Sequence, residues 1–263
     1  MSAATVLRAD WPAPPGVQAV FTLRAGGVSN GAYRSLNLGA HVGDEARAVQ
    51  ENRRRVIEAL TLPSEPLWLA QVHGTEVVRA DEIGAGAAAP NTSARGDASV
   101  TQLPGRVLSV LVADCLPVLL ARTDGSAVAI AHAGWRGLAG GVIEAAVRAL
   151  GGTPQSLLAW LGPAIGPAHF EVGEEVRTAF CRHDPQAQRA FAANARARWQ
   201  CDLHQLAVQR LAALGVQSVH GRPRCTFSDA DSFYSFRRDG VTGRAAALIW
   251  IDARVSPTVE QQR

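Results

Sequence analysis

A thiol and two imidazoles carry the most pointed chemistry in this sequence. Cys115 follows Asp114 directly, His132 stands just before Ala133-Gly134-Trp135-Arg136, and His73 lies in Trp68-Leu69-Ala70-Gln71-Val72-His73-Gly74. Each falls at the end of an apolar run. Thiolate and imidazole are favoured zinc ligands, and three protein ligands leave a fourth position for water or substrate, the arrangement of catalytic zinc. The three residues are far apart in the chain, so no local knuckle spacing supports the grouping. Plainer readings exist for each. A free cysteine packs as a small hydrophobe, and a histidine near a strand end is often satisfied within a core. A further reading makes Cys115 a thiolate nucleophile activated by a histidine, in a hydrolase of amide or acyl bonds.

The elements that would position these groups are mostly short apolar runs. Residues 107–113, 117–122 and 127–132 read as three successive strands, with Thr123-Asp124-Gly125-Ser126 turning between the last two. Their apolar residues barely alternate, which predicts strands covered on both faces. Further strands are expected at 17–23, 66–72, 75–79, 156–161, 216–220 and 245–251. A long glycine-rich and polar loop spans 24–43, and Asp44 suits the N-cap of a helix running to about Leu60. Another helix should run from Gly137 to Leu150 and stop at Gly151-Gly152. Its start near Gly134 offers backbone N–H groups that could cradle an anion, although glycine there reads first as a plain tight turn. Helices are also expected after Gly173 and over 202–214, and the low-complexity stretch from Gly84 to Gly96 reads as a surface loop. The pattern predicts a mixed α/β fold, a single compact domain over residues 1–263 in which layered mixed β-sheets are flanked by helices.

Composition narrows the function classes. With 47% hydrophobic and 19% charged residues the chain is of ordinary globular type, and a net charge of +3 argues for neither nucleic acid nor an anionic membrane as partner. All 26 basic residues are arginine, which excludes lysine Schiff-base chemistry and a phosphate loop of the GK[ST] type. The four cysteines form no CxxC pair and the stretch MSAATVLRADWPAPPG holds no apolar core of signal-peptide length, so a reducing, cytoplasmic setting is expected. No apolar run approaches the ~20 residues needed to span a bilayer.

Several segments, in fixed order, resemble one family. They are SLNLGAHVGD with Asn52-Arg53, QVHGTEV, GDASVT, ADCLPVLL, AHAGWRG, LGPAIGPAHFEVG and CTFSDADSFYSFRRDGVTGR. This is similar to the YfiH-like family, also called the laccase-domain, polyphenol oxidase or peptidoglycan-editing factor family, from about Val17 to Ile251. The resemblance places the family's His, Cys, His metal triad on His73, Cys115 and His132. Ser99 departs from the larger apolar residue expected there. The resemblance implies layered sheets and helices, and a zinc-dependent purine nucleoside phosphorylase acting on adenosine, inosine and methylthioadenosine. Adenosine deamination is implied as a second activity. The copper polyphenol oxidase label gains nothing from the residues, because multicopper sites need HxH pairs and none of the seven histidines stand two apart. Opportunistic copper binding at an imidazole–thiolate site is nevertheless easily explained.

Deamination would need a carboxylate to shuttle protons, from Asp97, Asp114, Glu171 or Glu174. Phosphorolysis needs an anion site, for which arginine forks are suited. Arg34, Arg136, Arg237, Arg238 and Arg244 all lie in glycine-rich or polar loops, and Asn37 is a further candidate for binding ribose or phosphate. If 235–244 is a strand, only one of Arg237 and Arg238 can face a site. The peptidoglycan-editing name suits the cysteine-hydrolase alternative. The expected partners are purine nucleosides and phosphate, with the chain a monomer or small homo-oligomer.

Overall fold

The computed structural model describes residues 6–83 and 94–254. Most of the stretch from Gly84 to Gly96, expected as a surface loop, lies outside them. In chain order the strands are β1 (Val6–Arg8), β2 (Val17–Thr22), β3 (Val77–Arg79), β4 (Ala98–Thr101), β5 (Leu108–Val112), β6 (Leu116–Arg122) and β7 (Val128–Ala133). There follow β8 (Leu157–Leu161), β9 (Glu171–Val172), β10 (Phe191–Ala193), β11 (Trp199–Cys201), β12 (Ser218–His220) and β13 (Ala245–Ile251). The helices are α1 (Ala46–Leu60), α2 (Trp135–Gly140), α3 (Val142–Leu150), α4 (Glu174–Cys181), α5 (Leu203–Ala213) and α6 (Phe236–Asp239).

Two large sheets face each other. One is antiparallel in the order β1-β2-β13-β5; the other is mixed, in the order β12-β8-β6-β7-β4-β3. A small sheet, β10-β11-β9, stands apart. Side-chain parity explains the layering. Along β6, Leu119 and Ala121 join Val110, Val112, Ala247 and Ile249 in the core between the sheets. Val118 and Leu120 point the other way, against Ile143, Ala146, Leu206 and Leu211 of α3 and α5. Along β13, Ala246, Leu248 and Trp250 pack instead with Val56 of α1 and with Leu36 and Leu38. Both central strands are therefore covered on both faces, as their unbroken apolar runs require. Ser99 in β4 is fully buried with no partner for its hydroxyl, so an apolar side chain would suit this position.

Four local expectations are corrected. Residues 66–72 form no strand; single bridges join Leu67 to Leu108 of β5 and Ala70 to Arg95. The Gln71 side chain takes the place of a neighbouring strand there, bonding both the N–H and the carbonyl of Leu111. Asp44 is not the cap of α1, whose N-cap is Glu45; its carboxylate instead accepts from Ser29 Oγ and Asn37 Nδ2. The helix after β7 is two helices, split where Gly141 adopts φ of 100°. Residues 236–239 form a helical turn rather than a strand.

Candidate metal centre

Cys115 and His73 sit on turns held in unusual backbone conformations. Asp114 and His73 have φ of 90° and 61°, where residues other than glycine are uncommon. Each conformation is fastened by a buried carboxylate. Asp114 places Cys115 at the mouth of β6, and its own oxygens accept from Thr226 Oγ1 at 2.6 Å and from the Arg237 N–H at 2.7 Å. Asp97 accepts the N–H groups of Val72, His73 and Gly74 at 3.1, 2.9 and 2.7 Å. His132 comes from inside β7, opposite Pro117 of β6.

The ligand-type atoms of His73, Cys115 and His132 all lie within 4.8 Å of one another. His73 Nε2 is 3.8 Å from Cys115 Sγ, and the two imidazoles meet edge to face with centroids 4.8 Å apart. Tetrahedral zinc with bonds of about 2.0–2.3 Å holds its ligands roughly 3.5 Å apart, so a small contraction closes the set. Asp97 Oδ1 also lies 2.9 Å from His132 Nδ1. That carboxylate fixes the ring proton on Nδ1 and leaves Nε2 toward Cys115, the usual support of a metal-bound histidine. The donor set fits a thiophilic divalent ion.

Electrostatics agree with the geometry. Burial pushes the Cys115 thiol up, but the imidazoles of His132 and His73 outweigh it and bring the pKa down to about 6. Burial likewise lowers His132, yet the Cys115 thiolate and Asp97 raise it to about 9. Burial would raise Asp97 too, but its bonds from His132 and the backbone hold it below the usual carboxylate range. His132 is buried, Cys115 half-buried and His73 exposed, so the site opens to solvent on the His73 side.

Two glycines make room. A Cβ on Gly134 would stand 2.9 Å from Cys115 Sγ and 3.0 Å from His73 Cδ2, and one on Gly137 would stand 2.8 Å from the carbonyl of Gly74. These glycines serve close approach at a tight turn, and α2 is only six residues long.

The other expected site residues divide sharply. Asn37 is fully buried, and all four of its hydrogen-bonding positions are used, with Gly39 N–H and O, Asp44 and the Arg244 N–H. It supports a turn and has nothing left for a ligand. Arg238 donates from Nε, Nη1 and Nη2 to Asp239 and to the carbonyls of Thr226, Phe227 and Phe233, which commits its whole fork to structure. Arg237 gives Nη1 to the Glu171 carbonyl and lies over Phe170. Arg34 and Arg136 are exposed, the latter against its neighbour Trp135. Asp97 and Asp114 are committed as described. Glu171 is paired with Arg196 and Asn194, and Glu174 with Arg177 and Trp199. One residue passed over in the sequence is His41, in the loop 39–43; it lies within the field of both His132 and Arg244. Its signal was a histidine in a glycine-bracketed loop too long to be mere connection.

Residues 18–252 match the family model described as multi-copper polyphenol oxidoreductase laccase. The chain is 49% identical to the purine nucleoside phosphorylase YfiH of Escherichia coli, over 92% of this chain and 97% of that one. It is 52% identical to a purine nucleoside phosphorylase of Pseudomonas aeruginosa, over 93% and 98%. A solved Neisseria meningitidis structure superposes with a TM-score of 0.89 at 47% identity, covering 94% of this chain and 99% of that one. YlmD from Geobacillus stearothermophilus does so with a TM-score of 0.87 at 32% identity, covering 96% and 98%.

Proposed function

The chain belongs to the multi-copper polyphenol oxidoreductase laccase family, and from that membership we propose that it is a zinc-dependent purine nucleoside phosphorylase, the whole chain serving as one catalytic domain. Its substrates are inosine, adenosine and methylthioadenosine, with inorganic phosphate. The observation that carries the reading is the His73, Cys115, His132 cluster with His132 anchored by Asp97. It supports an ion with an open position, and relatives about half identical over nearly the whole chain bear the phosphorylase name. Zinc is taken as the ion because two imidazoles and a thiolate leave the fourth position of a tetrahedral site for water or substrate; the same donors in a trigonal arrangement with a long axial ligand would suit copper.

When bound, such an ion supplies Lewis acidity beside the substrate. The chain's own residues do the rest. Asp97 keeps the His132 tautomer and the His73 turn in register, Asp114 fixes the Cys115 turn, and Gly134 keeps the space between thiol and imidazole clear. In phosphorolysis a phosphate oxygen bonds to C1′ as the C1′–N9 bond breaks. The electron pair leaves with the purine, and the proton of the hydrogen phosphate balances the new purine N–H. Adenosine deamination is the weaker part of the proposal, because the four carboxylates considered as proton shuttles all have partners. A reducing compartment suits the protein, whose four cysteines are free. No helix among the described residues is long and apolar enough to cross a membrane.

A second reading has one specific observation behind it. Cys115, His132 and Asp97 also form the order of a thiolate, base and orienting carboxylate, the arrangement of cysteine hydrolases. It leaves His73 without a task. The test is direct: zinc-loaded protein with inosine and phosphate should yield hypoxanthine and ribose 1-phosphate. Free ribose unaffected by phosphate would mean hydrolysis. Full zinc retained in Cys115→Ala would remove the metal assignment.

A further inference from the structure

The anion that phosphorolysis requires has a better-placed partner than the arginine pair at 237 and 238. Arg244 stands at the entrance to β13, fastened to the turn at 37–39. Its N–H donates to Asn37 Oδ1 at 2.8 Å, and its carbonyl accepts from the Leu38 N–H at 3.0 Å. The side-chain stem lies against Gly39, where a Cβ would come within 2.8 Å of Arg244 Cγ. At the far end, Nη1 donates to the carbonyls of Thr242 and Gly243 at 3.0 and 3.1 Å.

One edge of the guanidinium is thus pinned, and the other is not. Among the described residues nothing accepts from Nε or Nη2, and no carboxylate lies within ion-pair distance of the group. The neighbouring arginines differ. Arg238 has spent all its donors, and Arg53 gives Nε and Nη2 together to the Leu38 carbonyl; Arg244 has the Phe236 ring centroid 5.9 Å from its guanidinium carbon, a contact that takes up no N–H. A freely solvated arginine would have no fixed orientation; Arg244 is half-buried and held at both ends of its stem. It also stands beside the metal centre: Ala245 of β13 pairs with Val112 of β5 in antiparallel register, so Arg244 comes level with Ala113, next to Asp114 and Cys115. The charges of Cys115 and Asp114 act on it, and His41 lies in the field of both Arg244 and the ligand His132.

We propose that Arg244 is the phosphate-binding residue of this site, its Nε–Nη2 edge taking two oxygens of inorganic phosphate beside the metal ligands. A guanidinium edge matches two phosphate oxygens in a way that the point charge of an ammonium does not. Gly39 is the positioning element, small so that the arginine stem can lie across it. This inference rests on the phosphorolysis reading.

The test uses the zinc-loaded full chain and three variants, Arg244→Lys, Arg244→Gln and Gly39→Ala. Steady-state kinetics with inosine should show the phosphate KM of Arg244→Lys raised about tenfold to a hundredfold, the range for losing one charge-assisted bond. The inosine KM and zinc content should hold. Gly39→Ala, which keeps the charge and displaces the stem, should shift phosphate KM the same way by less; it decides the matter if Arg244→Lys melts early. Calorimetric titration of inorganic phosphate into the protein without nucleoside should show binding that Arg244→Gln abolishes. Phosphorolysis with phosphate KM unchanged in both Arg244→Lys and Gly39→Ala overturns the inference and leaves the reaction standing. Phosphate binding lost in Arg244→Gln, with no nucleoside cleaved, upholds the anion site and overturns the phosphorylase reading. A wild type that neither binds phosphate nor cleaves inosine overturns both.

Discussion

Between Cys115 and His132 a proton competes with the proposed metal. In the metal-free chain the thiol is drawn down to about 6 and the imidazole up to about 9, each by the other's charge against the opposing effect of burial. The signs set a window. Cys115 is depressed below its unfolded value of about 8.5, so its contribution to stability is lost as pH falls through about 6. His132 is raised above its unfolded value of about 6.5, so its contribution is lost as pH rises through about 9. The thiolate–imidazolium pair therefore stabilises the metal-free protein only between those limits. Thiolate absorbance of chelator-treated protein, measured as wild type minus Cys115→Ala, should rise near pH 6. The difference in urea midpoint between the two should be greatest between pH 6 and 9. A thiol step near 8.5 would show that the pair does not form. Restoring zinc should extend the gain toward higher pH, since a thiolate and a neutral imidazole are the forms that bind metal.

At the level of elements, the centre depends on turns whose geometry is imposed from elsewhere. The loop carrying His73 has no ladder of its own; Asp97 at the foot of β4 and the Gln71 side chain against β5 supply its order. The start of α2 must pass so close to Cys115 and His73 that only hydrogen fits at position 134. Gly134 has an ordinary extended φ, so the backbone itself tolerates alanine. Gly134→Ala should therefore fold, with a melting temperature near that of wild type, yet bind zinc substoichiometrically as measured by elemental analysis. Full zinc occupancy would mean that the turn yields and that the close approach has no functional weight. Gly141 offers a contrast, because its φ of 100° disfavours any side chain. Gly141→Ala should cost roughly 1–2 kcal/mol in a urea titration, without loss of metal.

For the molecule as a whole, the two facing sheets are the rigid body on which the site rests. Leu119 lies in β6, fully buried between them, four residues beyond Cys115 in the chain. Leu119→Ala should destabilise the protein by about 2–5 kcal/mol in urea, the usual range for a buried leucine. Metal stoichiometry below the transition should be unchanged, because His73 and Cys115 hang on turns fastened by Asp97 and Asp114, and Asp97 also anchors His132. Loss of zinc at low urea in this variant would show that core packing, rather than those carboxylates, sets the ligand positions.

Much of this architecture was legible from residue order alone. The unbroken apolar runs of β5, β6 and β7 told of strands covered on both faces, and the bounds of β13 match the run from Ala245 to Ile251. The three ligand-type residues at the ends of such runs stood out because thiolate and imidazole chemistry is local to the side chain, and the fold does bring them together. Contacts between distant segments were not legible. Asp97 looked like a proton shuttle and is the anchor of His132; Asn37 looked like a ligand contact and is wholly spent on its own turn. Arg237 and Arg238 stood out as a pair, while Arg244, with its free edge, was merely one arginine among several. The physical reason is the same in each case. Residue type sets which bonds a polar group can make, but only the folded chain decides how many of them are already taken.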